Sequence, residues 1–157
     1  MKTETSAAED NIPLCGGCRA HGRCRLGAGP LVRDGARMRA EVVCAETFHA
    51  GPRVAHGGWT AAVFDDVMGR SMIGHGARAV TASLTVDFLK PVPIEEALVI
   101  EVLVDGREGR RWTLSATLRL AREEAPLARA RGTWVERREG HFERHEAAMD
   151  AYRSTDG

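Results

Sequence analysis

The chain has 157 residues, 43% of them apolar, with 22 Lys plus Arg set against 22 Asp plus Glu. That length suits one domain able to bury close to ~70% of its unfolded surface without a disulfide or metal staple, and the charge balance argues against a nucleic-acid or anionic-membrane binder, although 20 of the 22 bases are Arg. No apolar run approaches the roughly 18 residues of a membrane helix and the polar start Met1 to Asp10 carries no signal-peptide core, so a cytoplasmic protein is expected.

Residues 1–35 read as a Cys- and Gly-rich lead-in, poorly ordered or docked on the domain. Within it Cys15, Cys18, His21 and Cys24 have the ligand types of a structural zinc site. Such sites usually hold two ligand pairs a dozen or more residues apart, and this spacing is tighter, so reduced thiols are the reading kept and zinc is the alternative. Cys44 reads as a small core residue. A domain is expected over residues 36–137, opening with a strand from Arg37 to Ala45 and a loop from Phe48 to Ala55. Gly57 to about Ile73 reads as a helix with apolar residues on nearly all sides, wrapped by a sheet and stopped by Gly74 and Gly76. Strands follow at Val80–Leu89, Ala97–Val104, Arg111–Ala121 and Ala128–Arg137, and successive antiparallel pairing is expected, with hairpin chemistry at Asp105 to Gly109. One long helix and four or five such strands define α+β. Residues 138–157 read as a charged tail, helical from His141 to Tyr152.

The chemistry concentrates at the start of the helix. His56-Gly57-Gly58 opens it, and two glycines leave backbone N–H groups uncovered at the positive end of the helix dipole, where a carbonyl oxygen gaining charge is stabilised. An acyl substrate follows. Nine residues after His56 comes Asp65, amid Trp59, Ala61, Ala62, Val63 and Phe64, where an acid has no evident packing role. Asp66, about 100° further round the helix, is expected to be the solvated or structural acid of the pair.

These residues resemble the hotdog-fold thioesterase superfamily, in particular its phenylacetyl-CoA thioesterase-like branch. The resemblance covers about Arg37 to Glu136 and rests on His56-Gly57-Gly58 with Asp65, on Val86-Asp87-Phe88-Leu89-Lys90-Pro91, and on Ala130-Arg131-Gly132-Thr133-Trp134-Val135. It implies a five- or six-stranded antiparallel sheet curled around the helix, paired into a homodimer by edge strands or doubled to a tetramer, with the site across the dimer interface. By the same resemblance the Gly57 amide, helped by Gly58, polarises the thioester carbonyl of an acyl-coenzyme A, and Asp65 of the other subunit acts as general base or nucleophile. Thr81 falls where a hydroxyl assists and His56 where an imidazole orients the loop. No cofactor is implied beyond coenzyme A as part of the substrate. One departure from the relatives is Ala50, beside His49, where several of them carry Asn.

Duller readings stand beside these. The glycines can simply permit a tight turn, His56 can be structural, and Thr81 can be ordinary strand surface. Arg107, Arg110 and Arg111 can meet the phosphates of coenzyme A or merely solubilise a turn. Three other functions compete with hydrolysis: an acyl-thioester hydratase, for which the Asp and His five residues apart that such relatives carry are lacking here; a non-catalytic acyl-CoA-binding hotdog module; and a metal-binding interaction protein centred on Cys15 to Cys24.

Overall fold

The computed structural model describes residues 13–155. The polar start Met1 to Asp10, with the question of a signal-peptide core, lies outside the described residues. The elements run α1 (Gly16–Arg19), β1 (Ala28–Asp34), β2 (Arg37–Val42), β3 (His49–Gly51), β4 (Val54–Ala55), α2 (Gly57–Gly74), β5 (Ala79–Phe88), β6 (Leu98–Glu108), β7 (Arg111–Leu120), β8 (Pro126–Glu136) and α3 (His141–Ser154). Six strands form one antiparallel sheet in the order β1-β2-β6-β7-β8-β5, and α2 packs on it. This is the hotdog architecture of the α+β class.

Burial by the sheet selects one stripe of α2. Trp59, Thr60, Val63, Phe64, Val67, Met68, Ser71 and Met72 recur in adjacent pairs at helical spacing and meet Leu98, Ile100, Leu114, Leu118 and Trp134 in the core. The expected all-round burial is therefore corrected: Ala61, Ala62, Asp65, Asp66 and Gly69 are only half-buried and Ile73 is exposed, so one face stays open.

Three further features differ from expectation. The segment read as lead-in supplies β1, which pairs with β2 from Ala28↔Val42 to Asp34↔Arg37, and Cys18, Cys24 and Ala28 are buried. Its Gly29 and Pro30 had masked a strand that lies on an edge of the sheet, where proline is tolerated. Successive pairing holds for β6, β7 and β8, but β5 pairs with β8 from Ala79↔Glu136 to Phe88↔Ala128 and takes the far edge. The stretch read as loop contains the β3–β4 ribbon, turned through Arg53 at φ 60°. Cys44 is fully buried, and desolvation pushes its thiol up to about 11. No helix among the described residues is long and apolar enough to cross a membrane.

Gly132 governs how closely β5 approaches. A Cβ there would stand 2.6 Å from the Ser83 carbonyl oxygen and 2.6 Å from the Trp134 ring, next to the register shift between Thr81 and Ser83. Both obstacles are packed, so Gly132→Ala is expected to destabilise by about 2 kcal/mol. Thermal unfolding would then show a midpoint lower by roughly 4–8 °C.

Candidate active site

The loop through β4 delivers His56 to the N-cap of α2 in extended conformation (φ −61°, ψ 136°). The Gly58 N–H donates to His56 Nδ1 at 2.8 Å, and the His56 carbonyl accepts from the Thr60 N–H at 3.2 Å. The ring is thus the cap, and Nδ1 must be unprotonated to accept. A Cβ on residue 58 would lie 2.9 Å from Nδ1, which explains a glycine there. Because Gly58 has given its N–H to the imidazole, it is not free to help Gly57 with a carbonyl as the resemblance implied. The Gly57 N–H has no acceptor among the described residues. The aromatic edge of Phe88, 57% exposed, lies 3.6 Å from where a Cβ on residue 57 would be.

Two turns along α2, the Thr81 hydroxyl donates to Asp65 Oδ1 at 2.6 Å. The neighbouring acid is engaged otherwise: Asp66 Oδ2 accepts from Arg70 Nε at 2.9 Å and from the Cys24 thiol at 3.9 Å. Arg70 is buried and also donates through Nη1 to the Gly29 carbonyl at 3.1 Å. Asp66 is therefore a structural acid, although it lines the same groove as Asp65 rather than a separate surface. That groove, of about 1020 Å³, is walled by Leu14, Cys15 and Arg19 before β1, by Asp65, Gly69 and Ile73 of α2, by Arg78 and Thr81, and by Trp134, Arg137 and Phe142.

The residues singled out from sequence thus form two groups, His56 with Gly57 and Gly58, and Asp65 with Thr81. Eight residues of helix separate Gly57 from Asp65, about 12 Å at 1.5 Å per residue, so one subunit does not bring the two groups together. Cys15, Cys18, His21 and Cys24 do not converge: no group of three or more His, Cys, Asp or Glu among the described residues is placed to hold a metal. Cys18 Sγ instead accepts from the Arg25 backbone N–H at 3.3 Å, the main influence that lowers its thiol pKa against the opposing effect of burial. Of the arginines considered for phosphates, Arg107 pairs with Glu136 at 2.9 Å over the Trp112 ring, and Arg110 donates to the Glu136 carbonyl at 2.8 Å. Sequence reasoning missed Phe88, Arg78, Arg137 and the wall supplied by Leu14 and Arg19. Only Phe88 carried a signal, as an apolar residue ending a strand.

A long helix with one face in a curled antiparallel sheet, and a free helix-start amide and a carboxylate on that helix, define the hotdog class. The family model of the thioesterase superfamily matches residues 53–125, within the hotdog domain of this chain. The acyl-coenzyme A thioesterase THEM4 of Bos taurus is 32% identical over 84 residues, covering 54% of this chain and 34% of that protein. The chain thus spans about a third of the length of the curated relatives it matches. Among solved structures, the PaaI protein of the E. coli phenylacetic acid degradation operon superimposes with a TM-score of 0.65 at 18% identity, covering 78% of this chain and 84% of its own. A Streptococcus mutans protein bound to acetyl CoA gives 0.62 at 18% identity, over 68% and 86%.

Capping by His56 makes a stability prediction. His56→Ala, which orphans the Gly58 N–H, is expected to cost about 1 kcal/mol, whereas His56→Asn, whose amide oxygen can accept the same bond, keeps most of it. Urea unfolding of the three proteins measures the difference, and equal midpoints for all three would show the cap contributes nothing.

Proposed function

We propose that this chain hydrolyses acyl-coenzyme A thioesters. The observation that carries the reading is Asp65, held by Thr81 on the one face of α2 that the core leaves open, with a free amide at the start of the same helix. In the reaction, the Gly57 N–H receives the carbonyl oxygen as it gains charge. A water adds to the carbon and gives its proton to Asp65, or Asp65 adds first and the resulting anhydride is hydrolysed. The C–S bond breaks, releasing the carboxylic acid and the thiol. A thiol leaves readily, with an ordinary pKa near ~8.5, so one donor and one base suffice without a separate general acid.

The reaction is read as shared between two subunits. A single carbonyl group cannot span the about 12 Å from Gly57 to Asp65, so the amide of one subunit and the acid of another are brought to one thioester. The outer edge of β5, which has no partner strand among the described residues, is the natural place for a second copy to pair. Resemblance to a protein bound to acetyl CoA supports coenzyme A as the carrier.

Asp65→Asn is expected to lower kcat by at least about a hundredfold. Asp66→Asn, which strips the buried Arg70 of its carboxylate, lowers the melting temperature while keeping turnover within roughly tenfold. Thr81→Val costs about tenfold in kcat and Thr81→Ser little. Gly57→Pro removes the donor while suiting the first helical position after an extended residue, and is expected to cost about 10² to 10³ in kcat with the fold intact. Mixing inactive Asp65→Asn and Gly57→Pro subunits tests the sharing, since a mixed dimer regains one intact site and random pairing restores about a quarter of parental activity. No recovery would place both groups in one subunit. Coenzyme A binding without turnover by the parent would leave a binding module instead.

A further inference from the structure

We propose that Arg78 and Arg137 form an anion subsite in the groove beside Asp65, holding an oxyanion group of the same acyl-coenzyme A: a phosphate of the carrier or a carboxylate at the far end of the acyl group. This rests on the thioester reading of that groove. Arg78 immediately precedes β5 and Arg137 immediately follows β8, and the Arg137 N–H donates to the Arg78 carbonyl at 2.8 Å, so the two stand side by side across the strand pair. Like charges placed opposite each other across strands are destabilising, so the fold alone gives no reason for the arrangement. Neither guanidinium has an ion-pair partner among the described residues, so both are available to an anion in the groove they line.

Arg19, Arg70, Arg78 and Arg137 line this groove against the two carboxylates of Asp65 and Asp66, a local excess of positive charge in a chain whose formal net charge is zero. Asp66 is paired with Arg70 and Asp65 is bonded only by the neutral Thr81 hydroxyl, so Arg19, Arg78 and Arg137 remain against the single charge of Asp65. The Arg137 guanidinium lies 4.6 Å from the centre of the Phe142 ring, which also lines the groove, and this cation–π contact favours its place there. Guanidinium forks match phosphate and carboxylate oxygens in pairs. Three residues of strand separate Arg78 from Thr81, about 10 Å, so the anion sits apart from the reacting carbon and steadies the substrate without touching the chemistry.

The test compares the parent with Arg78→Ala, Arg137→Ala and the double variant, with Arg122→Ala as a control that removes an equal charge on another face. Calorimetry with coenzyme A alone, and hydrolysis of neutral and ω-carboxylated acyl N-acetylcysteamine thioesters, which carry no phosphate, give the two arms. If phosphate is held, the double variant raises the Kd for coenzyme A and the KM for acyl-CoA at least about tenfold, with kcat within threefold and the phosphate-free thioesters unchanged. If a carboxylate is held, the same rise appears only with the ω-carboxylated thioester. No rise in either arm, or an equal rise in Arg122→Ala, overturns the proposal. A parent that turns over no thioester but loses coenzyme A binding in the double variant would sink hydrolysis and keep the subsite, and a parent that does neither sinks both.

Discussion

The orientation of α2 against the sheet decides the rest of the site. Val63, Phe64, Val67, Met68 and Met72 are all fully buried, and each contributes on the order of 1.5–3 kcal/mol by leaving water. Turning the helix by one residue, about 100°, would expose most of that stripe. The hydrogen bond from Thr81 to Asp65, at a half-exposed site, is worth about 1.5–3 kcal/mol at most. Core packing therefore aims the acid, and Thr81 only settles which way its oxygens face.

The same helix is fastened at a second point by a buried cation. Arg70 reaches the Gly29 carbonyl on β1 and the Asp66 carboxylate one turn back, while the Trp59 indole N–H donates to the Leu26 carbonyl at 3.1 Å. Removing one member of such a buried pair costs far more than the pair itself contributes, because the other is left charged and dry. Two adjacent acids with opposite fates result. Asp66 answers a guanidinium that the fold cannot leave alone, and Asp65, with only a hydroxyl for company, keeps a carboxylate facing the groove.

Local pattern made much of this legible, and long-range closure accounts for what was not. The helix from Gly57, the strands over β5 to β8 and the His56-Gly57-Gly58 motif with Asp65 each announce themselves within a dozen residues, through spacing and turn chemistry. β1 was hidden because Gly29 and Pro30 look like loop, and a strand on the edge of a sheet is where that composition does no harm. The position of β5 at the far edge depends on how the connection through Lys90 and Pro91 crosses the sheet, which no window of sequence contains. The walls of the groove come from Leu14, Arg19, Arg78 and Arg137, whose separation in the chain leaves no motif. Conversely, Arg107 looked available because its partner, Glu136, lies on another strand.

His56 shows why one free amide can serve better than two at this helix start. The first turn of any helix has several N–H groups without partners, and water ordinarily satisfies them. Here the imidazole takes the Gly58 N–H, and the edge of the Phe88 ring borders the space beside Gly57, so the remaining donor is bounded by an aromatic side chain rather than a row of competing polar groups. A dipole in an apolar setting acts through a lower effective dielectric, so its attraction for a developing oxyanion grows as water is excluded. In the single chain this surface is still open, with Phe88 more than half exposed at the unpaired edge of the sheet. In the proposed reaction, covering that edge with a second copy would both dry the amide and bring up the acid it lacks, so that assembly and activation of the site become one event.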